Sequence, residues 1–166
     1  MNWRIEEKEA FEVFGIEKCF AKGESIPAFW TECYEKGLYQ KLLYDAASAS
    51  DPDRESPGVG VVRAISGYEA REDGGLVYMI YAPVREGCRT EGYKIVQIPK
   101  AAWAVFQGRP AKRPAKYISK LYHQAYKKWL PGSGYARAPG PDMEVYNVTG
   151  RGKHRDEVWI PVKNNP

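Results

Sequence analysis

Apolar residues recur along the chain in two patterns, alternation with polar neighbours and spacing by three or four. Phe11-Glu12-Val13-Phe14-Gly15-Ile16 alternates after a charged opening, which predicts one strand over residues 3–16. Ser25-Ile26-Pro27 then starts a helix, with Ser25 as N-cap and Pro27 tolerated in the first turn. Phe29, Trp30, Cys33 and Tyr34 follow at helical spacing, and the helix is expected to end near Gly37 or shortly after Leu43. Residues 45–58, rich in Ala, Ser, Asp and Pro, have no period and predict an exposed loop. Residues 58–71 and 75–84 are each apolar enough for a strand, and Glu72-Asp73-Gly74-Gly75 between them predicts a hairpin.

From Tyr93 the order begins again. Residues 93–99 and 102–106 predict strands, and Pro114 opens a second helix whose apolar stripe is Ile118, Leu121, Ala125 and Trp129, stopped by Pro131-Gly132. Residues 143–148 and 157–162 are the last two strands, joined by a polar turn. Phe11-Glu12-Val13-Phe14 answers Trp103-Ala104-Val105-Phe106, and Tyr81-Ala82-Pro83-Val84 answers Trp159-Ile160-Pro161-Val162. A period of 80 to 90 residues is too long for a solenoid, whose units run to ~20–50. The expected fold is therefore α+β: duplicated β-α-β-β units, approximately 1–86 and 90–163, with pseudo-two-fold symmetry, an antiparallel sheet and two helices flanking a central cleft. Residues 1–166 are read as one domain, and the cleft is the expected ligand site.

Composition sharpens this picture. Twenty-two aromatic residues (5 Trp, 12 Tyr, 5 Phe) suit a surface that is partly apolar and partly wet. A net charge of +4 is too small to argue for a nucleic-acid partner. Cys19, Cys33 and Cys88, odd in number and widely spaced, predict reduced thiols and hence the cytoplasm. The amino terminus is too polar for a signal peptide, and no stretch approaches the ~18 apolar residues of a membrane span.

Little of the usual chemistry is present. His123 and His154 are the only histidines, and no pair stands at metal-ligand spacing, so neither metal nor cofactor is expected. The cysteines read as packed thiols more readily than as nucleophiles. The basic run Arg109-Pro110-Ala111-Lys112-Arg113-Pro114-Ala115-Lys116 fits a solvated loop as well as a phosphate contact, and no recognition helix accompanies it. Residues 143–148 are more informative. Alternation places Glu144, Tyr146 and Val148 on one face and Met143, Val145 and Asn147 on the other. Both faces carry apolar residues, so the strand is expected to be buried, where a carboxylate is costly. Either Glu144 sits at an edge or pairs with an arginine, or it is held in an apolar cleft beside Tyr146 and Trp159. A desolvated carboxylate ringed by aromatics suits a hydrophobic cation.

Six segments in order carry a family resemblance: Phe11-Glu12-Val13-Phe14-Gly15-Ile16; Ile26-Pro27-Ala28-Phe29-Trp30; Ile98 through Phe106; Trp129-Leu130-Pro131-Gly132-Ser133-Gly134-Tyr135; Glu144-Val145-Tyr146; and Glu157-Val158-Trp159-Ile160-Pro161-Val162. Together they resemble the GyrI-like small-molecule-binding domain, also called the AraC-type or bacterial transcription activator effector-binding domain. The resemblance implies the doubled fold inferred above and binding of lipophilic, often cationic drugs in the central cleft, in the manner of a multidrug effector. It places the acidic pocket residue at Glu144, with Tyr146, Trp159, Trp103, Tyr68 and Trp30 as aromatic lining. Trp30 and Trp103 fit core packing equally well.

Regulators of this family carry a helix-turn-helix region ahead of the domain, and none fits before Trp3. The resemblance therefore implies either a stand-alone binding protein or the effector half of a transcription regulator, with no direct DNA-binding motif. Other relatives interact with DNA gyrase or hydrolyse electrophilic DNA-alkylating compounds. For the hydrolytic chemistry Glu144 would be the general base or position the water, with Tyr146 or Tyr68 as proton donor.

Overall fold

The computed structural model of the chain describes residues 2–46, 63–146, 148–149 and 152–166. Two strands, β1 (Asn2–Lys8) and β2 (Phe11–Phe20), replace the single one expected over residues 3–16. The first helix starts where Ser25 predicts, its Oγ accepting a hydrogen bond from the Ala28 N–H at 3.2 Å. Gly37 splits the helical region into α1 (Ile26–Glu35) and α2 (Leu38–Ala46). With φ at +72°, Gly37 takes the left-handed conformation that ends helices. The loop expected from Asp45 onward is corrected at its start: Asp45 and Ala46 close α2 and are buried. The rest of that loop, and the first part of the hairpin strand expected from Gly58, lie outside the described residues.

The chain continues through β3 (Arg63–Ser66), β4 (Leu76–Pro83), β5 (Lys94–Ile98) and β6 (Ala101–Gln107). Helix α3 (Ile118–His123) begins four residues after Pro114, because Ala115 adopts φ +61° and donates its N–H to Asp156 at 2.6 Å. It runs on as a wide π turn (Gln124–Trp129) and a tight 3₁₀ turn (Leu130–Gly132). The predicted stripe faces inward: Ile118, Leu121 and Ala125 are buried, and Trp129 packs on Trp3 and Phe106. Next come β7 (Tyr135–Arg137), β8 (Asp142–Val145), β9 (Val148–Thr149), β10 (Lys153–His154) and β11 (Glu157–Asn164). The strand expected over 143–148 thus stops at Val145.

Eight strands form one antiparallel sheet in the order β1-β6-β11-β8-β3-β4-β2-β5, with β7 beside β11, and β9 pairs with β10 apart from it. From the central β8–β3 contact outward, β8-β11-β6-β1 mirrors β3-β4-β2-β5. The duplication is therefore real, but each unit's first strand is exchanged: β1 pairs with β6 and β5 with β2.

That exchange shapes the molecule. Glu9 and Ala10 alone join β1 at one end of the sheet to β2 near the other, and Pro99 and Lys100 alone join β5 to β6. Such links span roughly 11 Å at most, so the two wings of the sheet must curl toward each other. Helices α1 and α2 cover Phe14, Phe20, Tyr78 and Ile80 on the convex side, and α3 covers Ala104, Phe106, Val158 and Ile160. The concave side encloses a third core of Val13, Ile65, Met79, Ile98, Trp103 and Val105, with no helix of the described residues over it.

Curling brings backbones close at Gly15 in β2. A Cβ there would lie 1.9 Å from the Ile80 carbonyl oxygen of β4. Gly15→Ala is therefore expected to lower stability by about 1–3 kcal/mol, seen as an earlier urea midpoint with an unchanged slope.

Candidate functional site

Strand β8 lies at the centre of the sheet, and its alternation sends Met143 and Val145 to the concave core and Glu144 to the helix side. In register with Glu144 are Ala64 of β3 and Val158 of β11. Both are small or short, so the carboxyl rises into the space between the two helical layers. Glu144 is only 9% exposed. The edge position considered from sequence is excluded.

Tyrosines converge on this carboxyl from several elements. Tyr146, just past β8, donates its hydroxyl to Glu144 Oε2. Tyr122 of α3 also hydrogen-bonds Glu144 and reaches Ser66 of β3. Behind Tyr146 stand Tyr78 of β4, to which its hydroxyl is hydrogen-bonded, and Trp30 of α1, whose indole N–H donates to the Tyr78 hydroxyl at 2.8 Å. The Trp30 and Tyr146 rings meet edge to face at 5.5 Å, and Tyr39 of α2 lies 6.0 Å from Trp30. Trp30, Tyr78, Tyr146 and Glu144 thus form one hydrogen-bonded chain linking the first helix to the central strand.

Burial raises the Glu144 carboxyl above its ordinary value of 4.5, against the hydrogen bonds from Tyr146 and Tyr122, while Asp142 and Asp156 push the same way as burial. No basic side chain is among these groups. Burial and the neighbouring carboxylate lift the Tyr146 and Tyr122 hydroxyls far above the ordinary tyrosine value, so both remain neutral donors. Asp142, on the same strand, makes a useful contrast. It accepts from Tyr126 at 2.7 Å and pairs with Arg137 at 3.0 Å, which completes a structural network. Glu144 holds a carboxylate's capacity for charge with hydroxyls as its partners.

Of the residues singled out in the sequence, the structure brings Glu144, Tyr146 and Trp30 together and places Trp103, Trp159 and Tyr68 elsewhere. Trp159 is opposite Met143, one residue out of phase with the pair Val158 and Glu144, so it points to the concave side. Trp103 is fully buried in the concave core, 6.4 Å from Trp159. Tyr68 packs against that same core and donates to Glu17 at 2.6 Å. The expectation that these three share a cleft with Glu144 is corrected by strand register: a shift of one residue reverses the face. Tyr78, Tyr122 and Tyr39 take their places around Glu144. Tyr78 shares the helix-side alternation of Ile80 and Ala82, and Tyr122 follows Leu121 of the helix stripe. Among the described residues no three His, Cys, Asp or Glu side chains converge as for a metal, and no helix is long and apolar enough to cross a membrane.

The doubled fold that places Glu144 at its centre has counterparts among known proteins. The chain resembles SAV2435 bound to tetraphenylphosphonium at 19% identity and a TM-score of 0.73, over 98% of this chain and 94% of that one. It resembles the C-terminal domain of EcmrR at 14% identity and a TM-score of 0.63, over 99% and 98%. A hydrolase encoded by lin2189 of Listeria innocua aligns at 11% identity and a TM-score of 0.52, over 97% and 91%. No curated protein matches the sequence. Residues 1–163 match the GyrI-like small molecule binding domain, and the chain belongs to that family.

Proposed function

We propose that the protein binds lipophilic cationic or aromatic small molecules between α1–α2 and α3, with Glu144 supplying the charge. The observation that carries this is a carboxyl at the centre of the sheet, almost fully buried and bonded to tyrosine hydroxyls. Leaving a buried acid without a cation costs stability, and a lipophilic cation is the guest that removes that cost while also favouring the ring faces of Trp30, Tyr39, Tyr78 and Tyr146. In the free protein Tyr146 closes against Glu144 and Trp30 packs on Tyr146, so a guest displaces the Tyr146 hydroxyl from the carboxylate. The phosphonium complex of SAV2435 supports this choice of ligand.

Residues 1–166 act as a single effector-binding domain in the cytoplasm, either alone or as the sensing half of a transcription regulator. The likeness to the EcmrR domain supports the second arrangement. A DNA-binding regulator or DNA gyrase is the protein partner proposed on family grounds. Hydrolysis of an electrophilic alkylating compound is the second reading, favoured by the direct hydrogen bond between Glu144 and Tyr146. In it Glu144 directs a water and Tyr146 protonates the leaving group, whereas Tyr68, bonded to Glu17 on the concave face, takes no part.

Titration with tetraphenylphosphonium is expected to quench Trp30 fluorescence saturably in the wild type, and Trp30→Phe to remove that quenching while the cation still binds by calorimetry. Absence of saturable binding overturns the proposal. Consumption of an alkylating substrate by the wild type but not by Glu144→Gln establishes the second reading.

A further inference from the structure

On the concave side, at the open end of the curled sheet, is a groove of about 680 Å³. Its volume lies within the range of small-molecule sites, about 300–1,000 Å³. Tyr81, Met143, Val145 and Trp159 line it, and Phe11 stands at its side. Four cationic side chains, Arg4, Lys8, Arg63 and Arg85, border it, together with the carboxylates Glu9, Glu12 and Glu157. Two of those carboxylates are already engaged. Glu157 accepts from Arg4 at 3.0 Å and from the Trp159 indole N–H at 2.9 Å, and Glu9 pairs with Lys100 at 3.1 Å. The exposed Lys8 ammonium lies 5.2 Å from the centroid of Trp159 and 5.8 Å from that of Phe11, and Arg4 lies over Trp159 at 5.6 Å.

We propose that this groove is a second small-molecule site, selective for amphipathic aromatic anions such as aryl sulfonates and carboxylates. The flat body of such a ligand lies along Phe11 and the Trp159 edge, and its anionic group meets the Lys8 ammonium, which the two rings already hold over the groove. Its charge preference is opposite to that of Glu144. The two sites lie back to back on β8, where Met143 and Val145 line one and Glu144 belongs to the other.

Anilinonaphthalene sulfonate, titrated into the full chain and followed by its own fluorescence, tests this. Saturable one-to-one binding is expected, with a shift of the Trp159 indole N–H resonance. Lys8→Glu should weaken it by about tenfold or more, as for a lost charge-assisted contact, without moving the thermal midpoint. Lys8→Ala, a milder change at the same exposed position, should weaken it less. Glu144→Gln and excess tetraphenylphosphonium should leave it unchanged. Affinity indifferent to Lys8, displacement of the dye by tetraphenylphosphonium, or absence of saturable binding overturns the proposal. Because the phosphonium is measured separately, failure of this site and failure of the Glu144 site are told apart.

Discussion

Glu144→Gln is expected to weaken binding of tetraphenylphosphonium by roughly 5- to 150-fold, equivalent to about 1–3 kcal/mol for loss of a charge-assisted partner. Glutamine preserves the shape and keeps one carbonyl oxygen as acceptor for the tyrosine hydroxyls, so the main change is loss of charge. In the free protein the same substitution should stabilise the fold at neutral pH. Burial raises the folded-state pKa of Glu144 above the unfolded value of 4.5, so the native protein holds a proton that the unfolded chain has released. Stability is then full below pH 4.5 and falls as pH rises through the folded value. Cation affinity runs the other way, rising with pH over that window as the carboxylate forms. Asp142, also raised by burial, adds a slope of the same sign to stability, and that slope persists in Glu144→Gln. The difference between the two proteins' stability–pH curves therefore reports Glu144. Chemical denaturation at several pH values checks the first effect, and calorimetric titration the second.

The largest loss of stability is expected from Trp103→Ala, about 3–5 kcal/mol, the range for emptying a large aromatic site in a core. Trp103 is completely buried in the concave core, and its indole N–H has no hydrogen-bond partner among the described residues. An unsatisfied buried donor is itself a cost. Trp103→Phe, which removes that donor while keeping an aromatic ring, should therefore cost far less than the alanine change. Neither should alter phosphonium affinity in protein that remains folded, because Trp103 and Glu144 face opposite sides of the sheet. A loss of affinity in folded Trp103→Phe would place the tryptophan in the cleft.

Local signals in the sequence carried much of this structure. The Ser25 cap, the stripe from Ile118 to Trp129, the match of Phe11-Glu12-Val13-Phe14 to Trp103-Ala104-Val105-Phe106 and the repeated x-x-Pro-Val segments each reflect a local rule, and each corresponds to an observed element. The burial of the strand that carries Glu144 was also legible, because apolar residues occupy both its faces, whereas the choice between an edge and an interior place for the carboxyl needed the pairing of β8 with β3 and β11. Strand exchange was not. Glu9 and Ala10 carry no turn chemistry, and β1 leaves β2 for β6 only because a wing formed from distant residues lies within reach. This long-range closure also misled the assignment of Trp103 and Trp159. A concave face buried without a helix of the described residues over it makes both sides of a strand look interior, so the register of Val158 with Glu144 is what reveals the side each tryptophan takes. Tyr78, Tyr122 and Tyr39 were missed for a chemical reason: a tyrosine at an apolar position fits a core as well as a cleft until its hydroxyl finds a partner.

The central claim is that Glu144 is a buried acid awaiting a cation, and the carboxyl carbon itself reports this. Its ¹³C shift, followed across pH in protein labelled at glutamate and assigned with Glu144→Gln, should titrate above 4.5 in the free protein and at a distinctly lower pH with saturating tetraphenylphosphonium. A Glu144 carboxyl that titrates at its ordinary value, or that does not respond to the phosphonium, would contradict the account.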